Sequence, residues 1–143
     1  MNIEPLVGIG KFKLGVELSD PLWSEIGEYL PFQRNYLQKN PSIRFPTDRV
    51  IVYFDNKNMS AAVEVLGNLA LYKDSNLIGL SVKQAKILLG ESENRLSYDG
   101  DVLTSDTLKI SLYIVKRANK RVVGSILSFN ESYLNDNDLI DEM

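Results

Sequence analysis

The sequence predicts an α+β fold in which an antiparallel sheet packs against two principal short helices. Two segments carry a helix cap followed by apolar residues at helical spacing, and several others are rich in β-branched and aromatic residues. The order of an extended entry, a helix, a loop, a strand, a turn and a second strand occurs twice along the chain. With 143 residues, of which 44% are hydrophobic, the chain is long enough for one domain with a real core.

The clearer helix is predicted at residues 82–89. Ser81 is a good N-cap, and Gln84 three residues later completes an S-x-x-Q capping box. Gly90 is suited to the left-handed conformation that ends helices. One face of this segment is apolar at helical spacing and carries Val82, Ala85, Leu88 and Leu89.

An earlier helix is predicted at residues 21–30. Asp20 is its N-cap, Pro21 occupies the first helical position, and Pro31 is expected to stop it. Both helices are too short to be stable alone, so each must pack against the rest of the protein, and we expect a sheet.

The strongest strand signal is RVIVYF at residues 49–54, where apolar residues fall on both faces and predict that both are covered. The polar turn at residues 55–58 favours strands over a helix in residues 59–72. Residues 108–115 alternate between apolar and polar, and residues 122–129 are expected to return as the hairpin partner. Asp99-Gly100 is a type I′ turn signal with a short strand on either side.

The chain is therefore predicted to be a single domain, residues 1–143, in a pseudo-duplicated helix-plus-hairpin arrangement. The half-repeats would be residues 6–72 and 73–129, followed by an acidic tail at residues 130–143. The two halves share few identical residues, so a true duplication and a coincidence of layout both remain open.

The composition excludes several kinds of site. The chain has no histidine and no cysteine, so it lacks the commonest general base and every thiolate ligand. The spacing of Gly8, Gly10 and Lys11 matches neither phosphate-loop motif. We expect no catalytic set, no cofactor and no metal site. No apolar run is as long as a membrane span and no signal peptide is evident, so we expect a cytoplasmic protein without membrane contacts.

Charge is distributed unevenly. Residues 131–143 hold five of the 19 acidic side chains and none of the 16 basic ones, which leaves 14 acidic and 16 basic elsewhere. The hairpin KRANKR at residues 116–121 is interpreted as a solvated tip, and no aromatic platform accompanies it, so a nucleic-acid partner is not expected. The acidic tail instead predicts a partner with a basic surface.

The candidate partner-binding residues follow from this charge pattern. Apolar residues interrupt the acidic run, so the tail either packs as a terminal helix or presents an acidic and apolar patch to a partner. Carboxylates at the residue 99–101 turn form a second, smaller acidic group. The predicted residues are Tyr133, Asp136, Asp138, Asp141 and Glu142, with Asp99 and Asp101 second.

Residues 76–129 resemble the helix-plus-hairpin unit of SmpA/BamE-like domains, and residues 12–66 resemble it more faintly. The resemblance is carried by Gly79-Leu80-Ser81-x-x-x-Ala85-x-x-Leu88-Leu89-Gly90, a polar loop and paired strands, although Glu91-Ser92 stands where that family usually has a proline. Proteins of that class often act by binding other proteins. We expect no counterpart of the lipoprotein anchor that some members of that class carry.

In overall character the chain is similar to immunity proteins of bacterial toxin systems, including contact-dependent inhibition. It is small, cysteine-free and acidic, it is rich in Asn, Ser and Leu, and it has no catalytic set. The resemblance implies a non-enzymatic inhibitor, a monomer or weak dimer, that binds a cognate toxin, commonly a nuclease with a basic surface. Two alternatives remain open. One is a small-ligand or hydrolytic domain using Asp, Tyr and Lys. The other is an adaptor whose oligomer buries the sheet face at residues 108–115.

Overall fold

The computed structural model describes residues 1–33, 39–67, 69–90 and 94–134. The chain is mostly β, with 47% strand and 13% helix. The predicted α+β class is therefore wrong. The error has a partly local cause, because residues 31–48, interpreted as a loop, contribute two short strands to the main sheet. Two further short strands lie where the sequence predicts them, on either side of the Asp99-Gly100 turn.

The helices are α1 (Leu22–Ile26) and α2 (Val82–Leu88), and residues 131–134 form one further turn, the C-terminal helix. None of the helices among the described residues has the length and apolar character needed to cross a membrane. In chain order the strands are β1 (Ile3–Glu4), β2 (Gly8–Ile9), β3 (Phe12–Lys13), β4 (Leu30–Phe32), β5 (Ser42–Phe45), β6 (Val50–Phe54), β7 (Ser60–Leu66), β8 (Leu71–Tyr72), β9 (Ser75–Asn76), β10 (Leu96–Asp99), β11 (Val102–Ser105), β12 (Ile110–Arg117) and β13 (Lys120–Phe129).

Eight strands form one antiparallel sheet in the order β10-β11-β12-β13-β7-β6-β5-β4. Each half of the chain supplies a helix followed by four consecutive antiparallel strands. The sequence predicts all four in the second half, but in the first half it predicts only the strand at residues 49–54 and its hairpin partner. The last strands of the two halves, β7 and β13, pair antiparallel at the centre, with Glu64 opposite Leu127. Strands β1–β3 and the β8–β9 pair form two smaller sheets.

The two halves repeat individual backbone contacts as well as strand order. In the first half the Leu66 N–H donates to the Arg49 carbonyl at 2.9 Å, and in the second the Phe129 N–H donates to the Lys109 carbonyl at 3.0 Å. Arg49 and Lys109 both have a left-handed backbone, with φ of 57° and 56°. Each half also has one register shift, at Tyr53/Phe54 and Tyr113/Ile114. The halves thus have the same backbone arrangement in this region.

The main core lies on one side of the large sheet, the inner face, where α1, α2 and the two small sheets cover it. Trp23 of α1 is fully buried, and its ring centroid lies 5.6 Å from that of Phe54 and 6.3 Å from that of Phe45. Its indole N–H donates to the Glu17 carbonyl at 2.9 Å. Every residue of β6 is buried, which confirms that both of its faces are covered.

Helix α2 lies close to its predicted bounds, whereas helix α1 is shorter than predicted. The capping box of α2 is present, because the Ser81 hydroxyl accepts from the Gln84 N–H and the Gln84 side chain accepts from the Ser81 N–H. Helix α1 begins one residue later than predicted, with Pro21 and not Asp20 at the N-cap position, although the Asp20 carboxylate accepts from the Leu22 N–H at 2.9 Å. It ends at Ile26 instead of residue 30, because the chain becomes extended and joins the sheet edge as β4.

Replacing Trp23 by alanine should lower the free energy of unfolding by about 3–5 kcal/mol, because it leaves a large cavity among aromatic rings. Urea unfolding followed by circular dichroism measures this change. The matched control is Ile87→Ala, at a helix position that is 63% exposed, which should change stability by less than about 0.5 kcal/mol. Equal effects from the two variants would contradict the placement of Trp23 in the core.

Candidate functional site

The opposite side of the large sheet, the outer face, carries a second apolar cluster where the C-terminal helix docks. Its centre consists of residues from the neighbouring strands β6, β7 and β13, and the side chains around it are only partly buried. The buried members are Ile51, Tyr53, Ala62, Leu127 and Phe129, and the partly buried ones are Phe32, Leu66, Tyr113, Tyr133 and Leu134. This outer-face cluster is where the acidic tail of the chain begins.

Tyr133, predicted to contact a partner, packs within the protein. Its ring centroid lies 6.0 Å from those of both Tyr53 and Phe129. Asn130 caps the C-terminal helix, because its backbone carbonyl and its side-chain oxygen each lie 3.2 Å from the Tyr133 N–H. Tyr133 is half-buried and therefore anchors the start of the tail to the sheet.

Asp55 fastens one side of the C-terminal helix. The Ser132 hydroxyl donates to one carboxylate oxygen at 2.6 Å, while the backbone N–H groups of Lys57 and Met59 donate to the other at 2.9 and 3.0 Å. Asp55 is only 6% exposed and belongs to the turn that joins β6 to β7. One carboxylate thus shapes that turn and holds the C-terminal helix.

The environment of Asp55 favours its ionised form. Burial opposes ionisation, but the hydrogen bonds from Ser132, Met59 and Lys57, together with the Lys57 charge, outweigh it and lower the pKa of Asp55. The sequence does not single out this residue, because an aspartate in a turn is ordinary and its bond to Ser132 spans 77 positions.

Lys109 fastens the other side of the helix. Its ammonium lies 2.9 Å from the Glu131 carboxylate and 3.5 Å from the Asp106 carboxylate. The hydrogen bond to Glu131 raises the pKa of Lys109 against the opposing effect of burial, and the negative charges of Asp106 and Glu131 add to the rise. The C-terminal helix is therefore held to the β6–β7 turn by Ser132 and to the start of β12 by Glu131.

A buried polar pair lies beneath this region. The Tyr53 hydroxyl donates to the Glu64 carboxylate at 2.6 Å, and Glu64 is 7% exposed. This bond gives the buried phenol an acceptor and the buried carboxylate a donor, and it fixes the position of one group relative to the other. The sequence feature that could have indicated this pair is Glu64, a lone carboxylate within the otherwise apolar strand β7.

The second group of predicted residues lies at one corner of the sheet. One nitrogen of the Arg121 guanidinium donates at 2.9 Å to the Asp101 carboxylate, the Tyr98 hydroxyl and the Gly100 carbonyl. Asp101 is therefore tied to the basic hairpin of its own chain. Asp99 is exposed on β10 and makes no ion pair with any residue that the structure describes.

The remaining predicted residues, Asp136, Asp138, Asp141 and Glu142, lie outside the described residues. Within the described ranges, no three acidic side chains are placed to hold a metal ion. An open depression of about 550 Å³ is lined by Ser24, Gly27, Glu28, Tyr29 and Leu30, so it offers one carboxylate and one phenol.

Replacing Asp55 by asparagine should lower the free energy of unfolding at pH 6 by about 1–3 kcal/mol. The neutral amide oxygen accepts more weakly than a carboxylate from the Lys57 and Met59 N–H groups, and an NH2 group replaces the oxygen that accepts from Ser132. The folded pKa lies below the unfolded one, so the contribution of Asp55 is present above the unfolded pKa and is lost as pH falls through the folded pKa. The wild-type and Asp55→Asn stabilities should therefore converge on acidification. Urea unfolding between pH 6 and pH 3 measures this.

Ser132→Ala removes a single hydrogen-bond donor to Asp55. It should lower the free energy of unfolding by less than Asp55→Asn does, with the same dependence on pH. Ser19→Ala, which removes an exposed hydroxyl bonded only to Glu17 nearby, is the matched control. If the difference in free energy of unfolding between wild type and Asp55→Asn stays constant across the pH range, the charge of Asp55 does not stabilise the fold.

No family model, no curated protein and no solved structure matches this chain.

Proposed function

We propose that this protein is a non-enzymatic cytoplasmic immunity protein that neutralises a cognate toxin, with nuclease activity, by binding the basic surface of that toxin. One observation supports the proposal most directly. The acidic tail begins at a helix that Ser132 and Glu131 fasten to opposite sides of the outer-face cluster. A tail that merely solubilised the protein would need neither contact.

Anchoring the tail would favour recognition of a basic surface. After Leu134 the sequence holds four carboxylates and no basic side chain. Charges that start from a fixed position on a rigid sheet lose less freedom on binding than charges on a loose chain. They would also steer a basic partner toward one side of the protein and speed encounter.

The contacts of Tyr133 refine the predicted site. Its ring contacts Tyr53 and Phe129, so we assign it to positioning the tail and leave partner contact to Asp136, Asp138, Asp141 and Glu142. The adaptor alternative loses its main support, because Ile110, Leu112 and Ile114 are buried in the core of the same chain.

The first test is co-purification of the tagged protein with the product of the adjacent upstream gene, together with a growth assay for protection. A one-to-one complex that suppresses toxicity is the expected result. Failure to bind and failure to protect would together overturn the proposal.

A charge-neutral variant, in which Asp136, Asp138 and Asp141 become Asn and Glu142 becomes Gln, should bind the toxin at least about tenfold more weakly at low salt. Its affinity should also depend less on salt concentration, because fewer charges face the partner. Titration calorimetry at two salt concentrations measures both effects. Truncation after Asn130 is a poorer test, since it also removes Ser132 and Tyr133.

The matched control neutralises four exposed carboxylates elsewhere on the protein, Glu4, Glu25, Glu28 and Asp74. It changes net charge equally and should leave affinity within about threefold of wild type. Equal losses from the two variants would mean that only net charge matters, and the tail would not be the binding site.

A further inference from the structure

The two edges of the large sheet are built differently. Edge strand β4 is three residues long and contains Pro31, which has no N–H to offer to a neighbouring strand. Edge strand β10 contains no proline, and Ser97, Tyr98 and Asp99 are exposed. Of the two edges, β10 is therefore the one that can accept another strand.

The backbone N–H and C=O groups of successive β10 residues point alternately toward β11 and away from the sheet. The Asp106 N–H donates to the Arg95 carbonyl at 2.9 Å, so Arg95 faces β11 in a hydrogen-bonded pair. Because such pairs alternate along an antiparallel ladder, the backbone groups of Ser97 and Asp99 also point toward β11. The N–H and C=O groups of Leu96 and Tyr98 therefore point away from the sheet.

The side chains along this edge are self-complementary. Arg95 and Asp99 lie on the same side of the strand, two positions before and two positions after Ser97. A second β10 placed antiparallel and centred on Ser97 brings each Arg95 opposite an Asp99 and each Leu96 opposite a Tyr98. The Arg95 side chain is 83% exposed, and its only described ion pair is a 3.6 Å contact with Asp106, so it can turn toward this new partner.

Charge also favours pairing centred on Ser97 over pairing centred on Tyr98. The Lys86 ammonium lies 5.2 Å from the Tyr98 ring centroid, and the Arg121 guanidinium donates to the Tyr98 hydroxyl. Pairing centred on Tyr98 would bring two tyrosines together with four cations, and like charges across strands are destabilising. Pairing centred on Ser97 keeps these groups apart.

We propose that β10 pairs antiparallel with β10 of a second copy of this chain, so that two eight-stranded sheets join into one continuous sheet. The contact is a two-fold one, with the same residues contributed by both copies. Pro31 at the opposite edge prevents further addition, so assembly stops at the dimer. This inference is independent of the proposed toxin partner, because it concerns the purified protein alone.

Cysteine crosslinking tests the register, since the natural chain has no cysteine. In the proposed dimer the two Ser97 residues form a non-hydrogen-bonded pair with Cα atoms about 4.5 Å apart, within the range of a disulfide. Ser97→Cys should give a covalent dimer on oxidation with diamide, as seen by non-reducing electrophoresis. Ser75→Cys, another exposed strand serine, controls for random collision and should stay monomeric. Crosslinking of Tyr98→Cys in preference to Ser97→Cys would overturn the proposed register.

Charge reversal tests the proposed pairing without a crosslink. Asp99→Arg and Arg95→Asp should each raise the dimer dissociation constant by about tenfold or more, because both variants place like charges opposite each other. The double variant restores opposite charges and should return to within about threefold of wild type. Sedimentation equilibrium measures all three constants.

The matched control is Arg117→Asp, which makes the same change of charge at the exposed β12–β13 tip. It should leave the dimer dissociation constant unchanged. Circular dichroism establishes that each variant is folded. A wild-type protein that stays monomeric to millimolar concentration, or a double variant that fails to recover, would overturn the inference and leave the immunity proposal untouched.

Discussion

The rest of the structure depends on the antiparallel pairing of β7 with β13. Each half of the chain forms four strands that follow one another in space as they do in sequence, and among the described strands only this central pair joins the two sets. The pairing places the last strand of each half at the middle of the sheet. It therefore forces β4 and β10 to the edges, and it creates one inner and one outer face shared by both halves.

The two faces are used differently. The inner face packs against α1, α2 and the small sheets and contains most of the apolar core, including Trp23. The outer face carries a smaller cluster and receives the end of the chain, which Asp55 and Lys109 fasten through side chains. Since Asp55 is held ionised by its donors, this fastening is electrostatic as well as apolar, whereas the inner core is almost wholly apolar.

The similarity of the halves makes their differences informative. Arg49 and Lys109 share a backbone conformation and a backbone hydrogen bond, yet only Lys109 pairs with the C-terminal helix. Likewise β4 and β10 are both edge strands, but one carries Pro31 and the other carries the self-complementary Arg95 and Asp99. The proposed tail site and the proposed dimer edge both lie where one half departs from the other.

The sequence by itself determined the features that depend on neighbouring residues: the capping box of α2, the burial of β6, and the turns after Phe54 and Asp99. These features follow from local hydrogen bonding and side-chain spacing, which depend only on residues that are close together in the sequence. The short strands β10 and β11 are indicated by the Asp99-Gly100 turn between them. The short strands β4 and β5 were not predictable, because pairing with longer strands, and not propensity, makes them extended. The same reason applies to the anchors of the tail. Asp55 and Ser132 are 77 positions apart, and only the tertiary structure brings them within a hydrogen bond.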